Sequence, residues 1–224
     1  MILREWNMPK NHRFKHKANE LIVLGDTVYE SDANDLYQYR VYPKGSLLKL
    51  SPHSSYWYIN EDRVGCFVGK KNADSDDQPY VVEDLVCVQI LGYTPEERSS
   101  TYSRGADLPY VNGCATKQLI APNRLGDPTW QYLSIPAGSC EQSHHIHSTA
   151  RVVYVLSGRG TSIVGMPSVQ KEYELKPGMV IILPKMTPHH FTAAEDGLVV
   201  IPLHIFSSTS LENNHPMFTG THLV

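Results

Sequence analysis

"WQYLSIPAGSCEQSHHIHSTARVVYVLSGRG", residues 130–160, governs how the rest of the chain is read. Trp130 to Ile135 and Val152 to Leu156 mix aromatic, β-branched and leucine residues, and each run is closed by Pro or Gly, as strands are. Between them stand His144, His145 and His147, with Arg151 just after. On an extended backbone residues i and i+2 share a face, so His145 and His147 present two imidazoles side by side, and Arg151 has their parity.

Runs of the same kind fill most of the chain. They include "DLYQYRVYP" (35–43), "LVCVQIL" (85–91), "TSIVG" (161–165), "GMVIILP" (178–184) and "GLVVIPLHIF" (197–206). Sustained helical periodicity is scarce, and strands at this spacing without helices between them predict an all-β sandwich or barrel. A constant shift of 93 residues lays "YQYRVYPKGS" (37–46) on "WQYLSIPAGS" (130–139). The same shift carries Gly65 onto Gly158, Tyr80 onto Tyr173 and Thr94-Pro95 onto Thr187-Pro188, which predicts two copies of one β unit. Only the second copy carries the histidines, since Pro52, Ser54 and Tyr58 fall opposite His145, His147 and Arg151.

Composition narrows the classes of function. With 224 residues, 41% hydrophobic and 19% charged, the chain has enough apolar material for one large or two small β domains. No apolar run is long enough to span a membrane, and the first residues lack the apolar stretch of a secretory signal, so cytoplasm is the expected location. Twenty basic against 23 acidic side chains give no electrostatic footprint for nucleic acid. The basic residues among positions 1–17 are read as a solvated terminal segment rather than an arm for an anionic partner. Cys66, Cys87, Cys114 and Cys140 form no C-x-x-C pair, and Cys140 is kept as a thiol at the edge of the histidine site. Residues 69–78 read as a solvated loop, and 99–113 as the linker between the two units.

A third imidazole for the His145/His147 face has to come from elsewhere in the chain. "GMVIILPKMTPHHF" (178–191) supplies His189 and His190 after an apolar strand and a Pro-bounded turn. Gly138, His145-x-His147, Arg151 and Gly158, followed by Gly178, Pro184-x-Met186 and His189, resemble the two motifs of the cupin superfamily. The likeness covers 130–204 and, through the repeat, 37–100. It implies two cupin-type β-barrels (double-stranded β-helix, jelly roll) in tandem: residues 1–105 without metal ligands and 106–224 with a three-histidine site. By that resemblance the ligands of one divalent ion are His145, His147 and His189. The sequence departs from the motifs where Arg151 replaces the usual glutamate ligand, Met186 a glycine and Ala193 an asparagine, and one extra residue separates Gly138 from His145.

Arginine does not ligate metals, so the ion would be held by three neutral imidazoles and keep its full charge for an anionic substrate. Arg151 then either forks a substrate carboxylate or pairs with Glu141 or a strand carbonyl. His144 and His190 have the parity that faces away. Glu141, His190 and Tyr154 are the candidate acid/base groups. Imidazole-only sites suit Fe(II), Zn, Ni, Co or Cu, with Mn also possible in cupins. Three readings follow: an Fe(II)/O2 dioxygenase acting on a small anionic metabolite, a non-redox isomerase, epimerase or lyase, and a ligand-binding sensor or sugar-binding cupin without turnover. A homodimer is the assembly the resemblance implies. Tyr56, Trp57 and Tyr58 are assigned to core packing, with a ligand cavity in the first unit as the alternative.

Overall fold

Side chains that alternate between two faces, both of them buried, make the described residues β almost throughout. In Thr129–Ile135, Gln131, Leu133 and Ile135 point to one side and Trp130 and Tyr132 to the other, and only Tyr132 and Ser134 are incompletely buried. Such a strand needs a packed layer on each side of its sheet. The computed structural model describes residues 20–33, 38–69, 79–106, 108–124, 126–205 and 221–223. Positions 1–17 and all but Gly69 of the 69–78 segment lie outside them.

The strands are β1 (Ile22–Val23), β2 (Tyr29–Glu30), β3 (Tyr39–Pro43), β4 (Leu47–Leu48), β5 (Ser54–Ile59), β6 (Arg63–Val68), β7 (Tyr80–Val81), β8 (Val86–Leu91) and β9 (Arg98–Thr101). The chain continues with β10 (Leu108–Pro109), β11 (Ala115–Ile120), β12 (Thr129–Ile135), β13 (His145–His147), β14 (Ala150–Val164), β15 (Lys171–Leu175), β16 (Val180–Leu183), β17 (His189–Ile205) and β18 (Thr221–Leu223). Among the described residues the sole helical element is a single turn, Val111–Gly113, and no helix is long and apolar enough to cross a membrane.

Two sheets share one strand order. The first runs β2-β3-β8-β5-β6-β9, and the second runs β11-β12-β17-β14-β16-β1 with β10 beyond β11. Each is finished at one end by a strand that precedes the other unit in the chain: β9 pairs with β6, and β1 pairs with β16. The two units therefore exchange their leading strands. Residues 99–113, expected to be a plain linker, supply most of β9 and all of β10.

The repeat is visible in this order, but the gapless register is not. Tyr39 and Tyr132 occupy matching strands, whereas beyond β5 the first unit turns within residues 60–62 into β6. In the second unit β14 runs on to Val164 and returns through β15. Thr94-Pro95 consequently follows the last long strand of its unit, while Thr187-Pro188 precedes β17. The matches at Gly65, Tyr80 and Thr94-Pro95 are thus not structural equivalents. Identities spaced by 93 survive only where the first strands correspond.

Three apolar clusters fill the layers. Between the sheets lie Val41, Trp57, Ile59, Val64 and Val88 from one side and Trp130, Val152, Tyr154, Ile182, Ile201 and Leu203 from the other. Trp130 Nε1 donates to the Gly65 carbonyl at 3.3 Å across this interface. Inside the second unit Leu133, Ile135, Val153, Val155, Ile181, Leu183 and Val200 form its own core. Inside the first unit Tyr42, Leu48, Tyr56, Val82 and Cys87 do the same. There Tyr42 Oη donates to Gln89 Oε1 (3.0 Å), Gln89 Nε2 donates to Tyr56 Oη (3.1 Å), and the Ser51 N–H donates to Tyr56 Oη (2.6 Å).

The long strands β14 and β17 bend together at glycine. Gly158 has φ +74°, and a Cβ there would sit 2.1 Å from the Gly197 carbonyl oxygen; at Gly160 it would meet the Thr192 oxygen at 2.1 Å. The register shifts between Val155 and Ser157 and again between Gly158 and Gly160. Such bulges turn a strand from one wall of a barrel to the next.

Because Trp130 packs against both sheets, Trp130→Ala is expected to cost about 3–5 kcal/mol. Urea unfolding followed by far-UV circular dichroism should show one transition moved to lower urea. Two separated transitions would show that the sheets do not depend on this interface.

Candidate metal centre

His145 and His147 lie on β13, and His189 opens β17 directly opposite His145. Nδ1 of His145 bonds the Ser143 carbonyl and Nδ1 of His189 the Thr187 carbonyl, both at 2.8 Å. A carbonyl only accepts, so each Nδ1 carries the proton and each Nε2 is left with a lone pair. Nε2 of His145 and Nε2 of His147 are 3.0 Å apart, and the candidate donor atoms of the three rings lie within 4.8 Å of one another. Two nitrogens each bound at about 2.0–2.1 Å to one ion would be separated by roughly this distance. The donor set therefore fits a divalent metal.

Burial prepares the imidazoles for that role. Desolvation, reinforced by the Arg151 charge, pushes His145 down to about 3 and drives His147 and His189 far below the ordinary histidine range. All three are neutral at pH 7, the form that ligates.

Arg151 is buried on β14, opposite Leu183 on one side and His204 on the other. Its Nη1 donates to the Thr149 carbonyl at 3.1 Å. Burial pulls its pKa down to about 9 while Glu141 opposes the shift, so it stays charged at neutral pH. Glu141 forms no ion pair with it; Oε1 accepts the Phe191 N–H at 3.2 Å and lies 3.9 Å from His145 Nε2. Burial pushes the Glu141 carboxyl up to about 8 against the opposing effects of that N–H and of Arg151. Of the two structural partners expected for Arg151, neither Glu141 nor a carbonyl within a strand is seen; the partner is a carbonyl in the bend between β13 and β14.

The remaining candidates lie elsewhere. His190 alternates with His189 on β17 and points away, its Nδ1 2.8 Å from Nδ1 of His144, whose Nε2 donates to the Gly165 carbonyl at 2.6 Å. Tyr154 has the opposite parity to Val153 and Val155 and packs between the two sheets, so it does not reach the triad. Cys140 bridges to Thr192 and takes a hydrogen bond from the Asn112 amide at 3.3 Å. In the first unit, Tyr56 is hydrogen-bonded in the core and Trp57 lies between the sheets. A cavity of about 400 Å³ there is lined instead by Leu48, Phe67, Val81, Val82, Glu83, Asp84 and Cys87.

Two interior residues were not assigned to the site from the sequence. His204, read only as part of an apolar strand, is 3% exposed, its ring centroid 6.3 Å from that of His147. Gln131, on the Leu133 and Ile135 face of β12, is 0% exposed. A polar residue at the inward phase of an apolar strand was the available signal in both.

Residues 131–206 match the family model described as a cupin domain. That match falls within the second unit, and the fold of the whole chain is of the all-β cupin barrel type. A crystal structure of the 11S allergen from Cocos nucifera superposes with a TM-score of 0.51 at 12% identity, covering 84% of this chain and 90% of that one. A cupin 2 conserved barrel domain protein from Leptotrichia buccalis gives 0.47 at 14% identity over 83% and 89%. A cupin-2 domain protein from Rhodospirillum rubrum gives 0.40 at 21% identity over 54% and 76%. No curated protein matches the sequence.

Met186, which stands where the family motif has glycine, keeps a left-handed backbone with φ 60°, and its N–H donates to the His147 carbonyl at 2.7 Å. This conformation costs a non-glycine residue roughly 1–2 kcal/mol, and the side chain is 48% exposed, so it repays little by packing. Met186→Gly should raise the melting temperature with the metal content unchanged. A fall would place the methionine side chain in a contact that matters.

The buried imidazoles also fix a pH response. His145, His147, His189 and His204 are held neutral when folded and titrate near 6.5 when unfolded, so unfolding takes up protons below that pH. Glu141 acts oppositely: raised from 4.5 to about 8, it contributes most below 4.5, and that contribution is lost as pH rises towards 8. Four imidazoles outweigh one carboxyl, so the melting temperature of chelator-treated protein should fall between pH 7 and pH 5. A flat profile would mean that the rings are open to water.

Proposed function

We propose that this protein is a metal-dependent bicupin enzyme acting on a small anionic metabolite, with Fe(II) and O2 as its first chemistry. The convergence of His145, His147 and His189 beside a buried, charged Arg151 supports it. His145, His147 and His189 would hold the divalent ion, which would supply Lewis-acid chemistry and, if it is iron, chemistry with O2. The chain's own residues do the rest. Arg151, fixed at one end by Thr149, turns its remaining donors to a substrate carboxylate and holds it in one orientation. The apolar wall of Leu133, Val153, Leu183 and Val200 excludes water, which strengthens that charge-assisted contact. The first unit, whose interior polar groups bond one another, acts as a structural partner without a metal of its own.

One observation favours a second reading, non-redox isomerase or lyase chemistry. The buried Glu141 carboxyl stands 3.9 Å from His145 Nε2, where it can hold or release a proton beside the reacting centre.

Elemental analysis of untagged protein should find near-stoichiometric iron, lost in the His145→Ala/His189→Ala double variant. With the substrate, the iron-loaded protein should consume O2, and Arg151→Met should weaken substrate binding roughly tenfold to a hundredfold. Turnover without O2 and with zinc or manganese would replace the first chemistry by the second. Tight binding without product would make the protein a binding module.

A further inference from the structure

Apart from the three imidazoles, whose contacts are given above, the interior of the second unit carries polar side chains without a hydrogen-bond partner among the described residues. Gln131 has no partner at either Nε2 or Oε1, His204 has none at Nε2, and Thr129 has none at Oγ1. All three are buried. They lie together: Thr129 pairs with His204 and His204 with Arg151 across β12, β17 and β14, and Gln131 is the next inward residue after Thr129. Their direction follows from strand phase. Gln131 alternates with Trp130 and shares the face of Leu133 and Ile135; His204 shares the face of Val200, while Leu203 and Ile205 face the other sheet.

The first unit shows what this fold does with a buried glutamine that needs only to pack. Gln89 is 2% exposed, and both ends of its amide are bonded, to Tyr42 and Tyr56. An unpaired buried polar group costs about 1–3 kcal/mol, and here several are collected on one wall beside a cation. Such a wall discriminates against any ligand that cannot answer it, because binding an apolar body would seal the amide and the imidazole away from water.

We infer that His204 and Gln131 determine specificity, and that the substrate is a hydroxycarboxylate whose carboxylate lies at Arg151 and whose hydroxyl group lies against His204 and Gln131. This rests on reading the site as one for small anions. A hydroxyl both donates and accepts, which is what an amide with Oε1 and Nε2 both open requires. An alkyl or aryl carboxylate satisfies Arg151 alone.

Isothermal titration calorimetry with two matched pairs, malate against succinate and lactate against propionate, tests this on metal-free and zinc-loaded protein, with metal content measured on the same samples. The hydroxylated member of each pair should bind roughly tenfold tighter or better. Gln131→Leu and His204→Phe should bring the two members together while leaving zinc content at the parent level. Each variant should also melt no lower than the parent, since it removes an unpaired polar group from an apolar surround. The His145→Ala variant separates the two ideas: loss of zinc with the hydroxyl preference intact supports the specificity wall independently of the metal. Equal affinities within each pair in the parent, or a preference that survives both substitutions, would overturn the proposal.

Discussion

Everything at the site hangs on the antiparallel ladder between β14 and β17. At one end it pairs Val164 with His189, and at the other Arg151 with His204. Side chains alternate along both strands, so a slip of one residue would turn Arg151 and His204 outward and bring Val152 and Leu203 in. The apolar cluster between the sheets forbids that slip, because Val152, Ile201 and Leu203 must face Trp57 and Val88. Packing on the outer face thereby sets the chemistry of the inner one. The bend at Gly158 and Gly197 lets one pair of strands serve both ends.

Much of this was legible in the sequence, and the part that was not has a physical cause. The i, i+2 spacing of His145 and His147 and the Pro-bounded turn before His189 are local signals, and the three rings meet as local geometry requires. Alternation placed Arg151 inward and turned His190 away for the same reason. Tyr154 was offered as an acid/base although its parity excludes it; an apolar strand buried on both faces hides which of its faces is the inner one. His204 and Gln131 were passed over because their runs read as core. The gapless 93-residue repeat failed where an added hairpin, β14 to β15, lengthened the second unit, which sequence identities at scattered Gly and Pro positions cannot reveal.

The two units differ less in architecture than in how completely their interiors are satisfied. In the first, a glutamine and two tyrosines close a hydrogen-bond chain around an apolar filling. In the second, the Gln131 amide, the His204 Nε2 and the Thr129 hydroxyl stand in an equally apolar surround without a hydrogen-bond partner among the described residues. The stability given up there must come from elsewhere, and the shared core beneath Trp57 and Trp130 is the structural source at hand.

The exchanged leading strands have a consequence in time. Ile22 pairs with Ile182, so the two residues of this bridge are 160 positions apart (182 − 22). At synthesis rates of about 5–20 residues per second, β1 leaves the ribosome roughly 8–32 seconds before the strand it joins exists. The first unit can be complete only when Arg98–Thr101 has followed, and the second only when β1, the earliest strand among the described residues, is still free to be claimed. Order of emergence, as much as pairing energy, then decides whether β1 waits for its own chain or is taken by a neighbouring one.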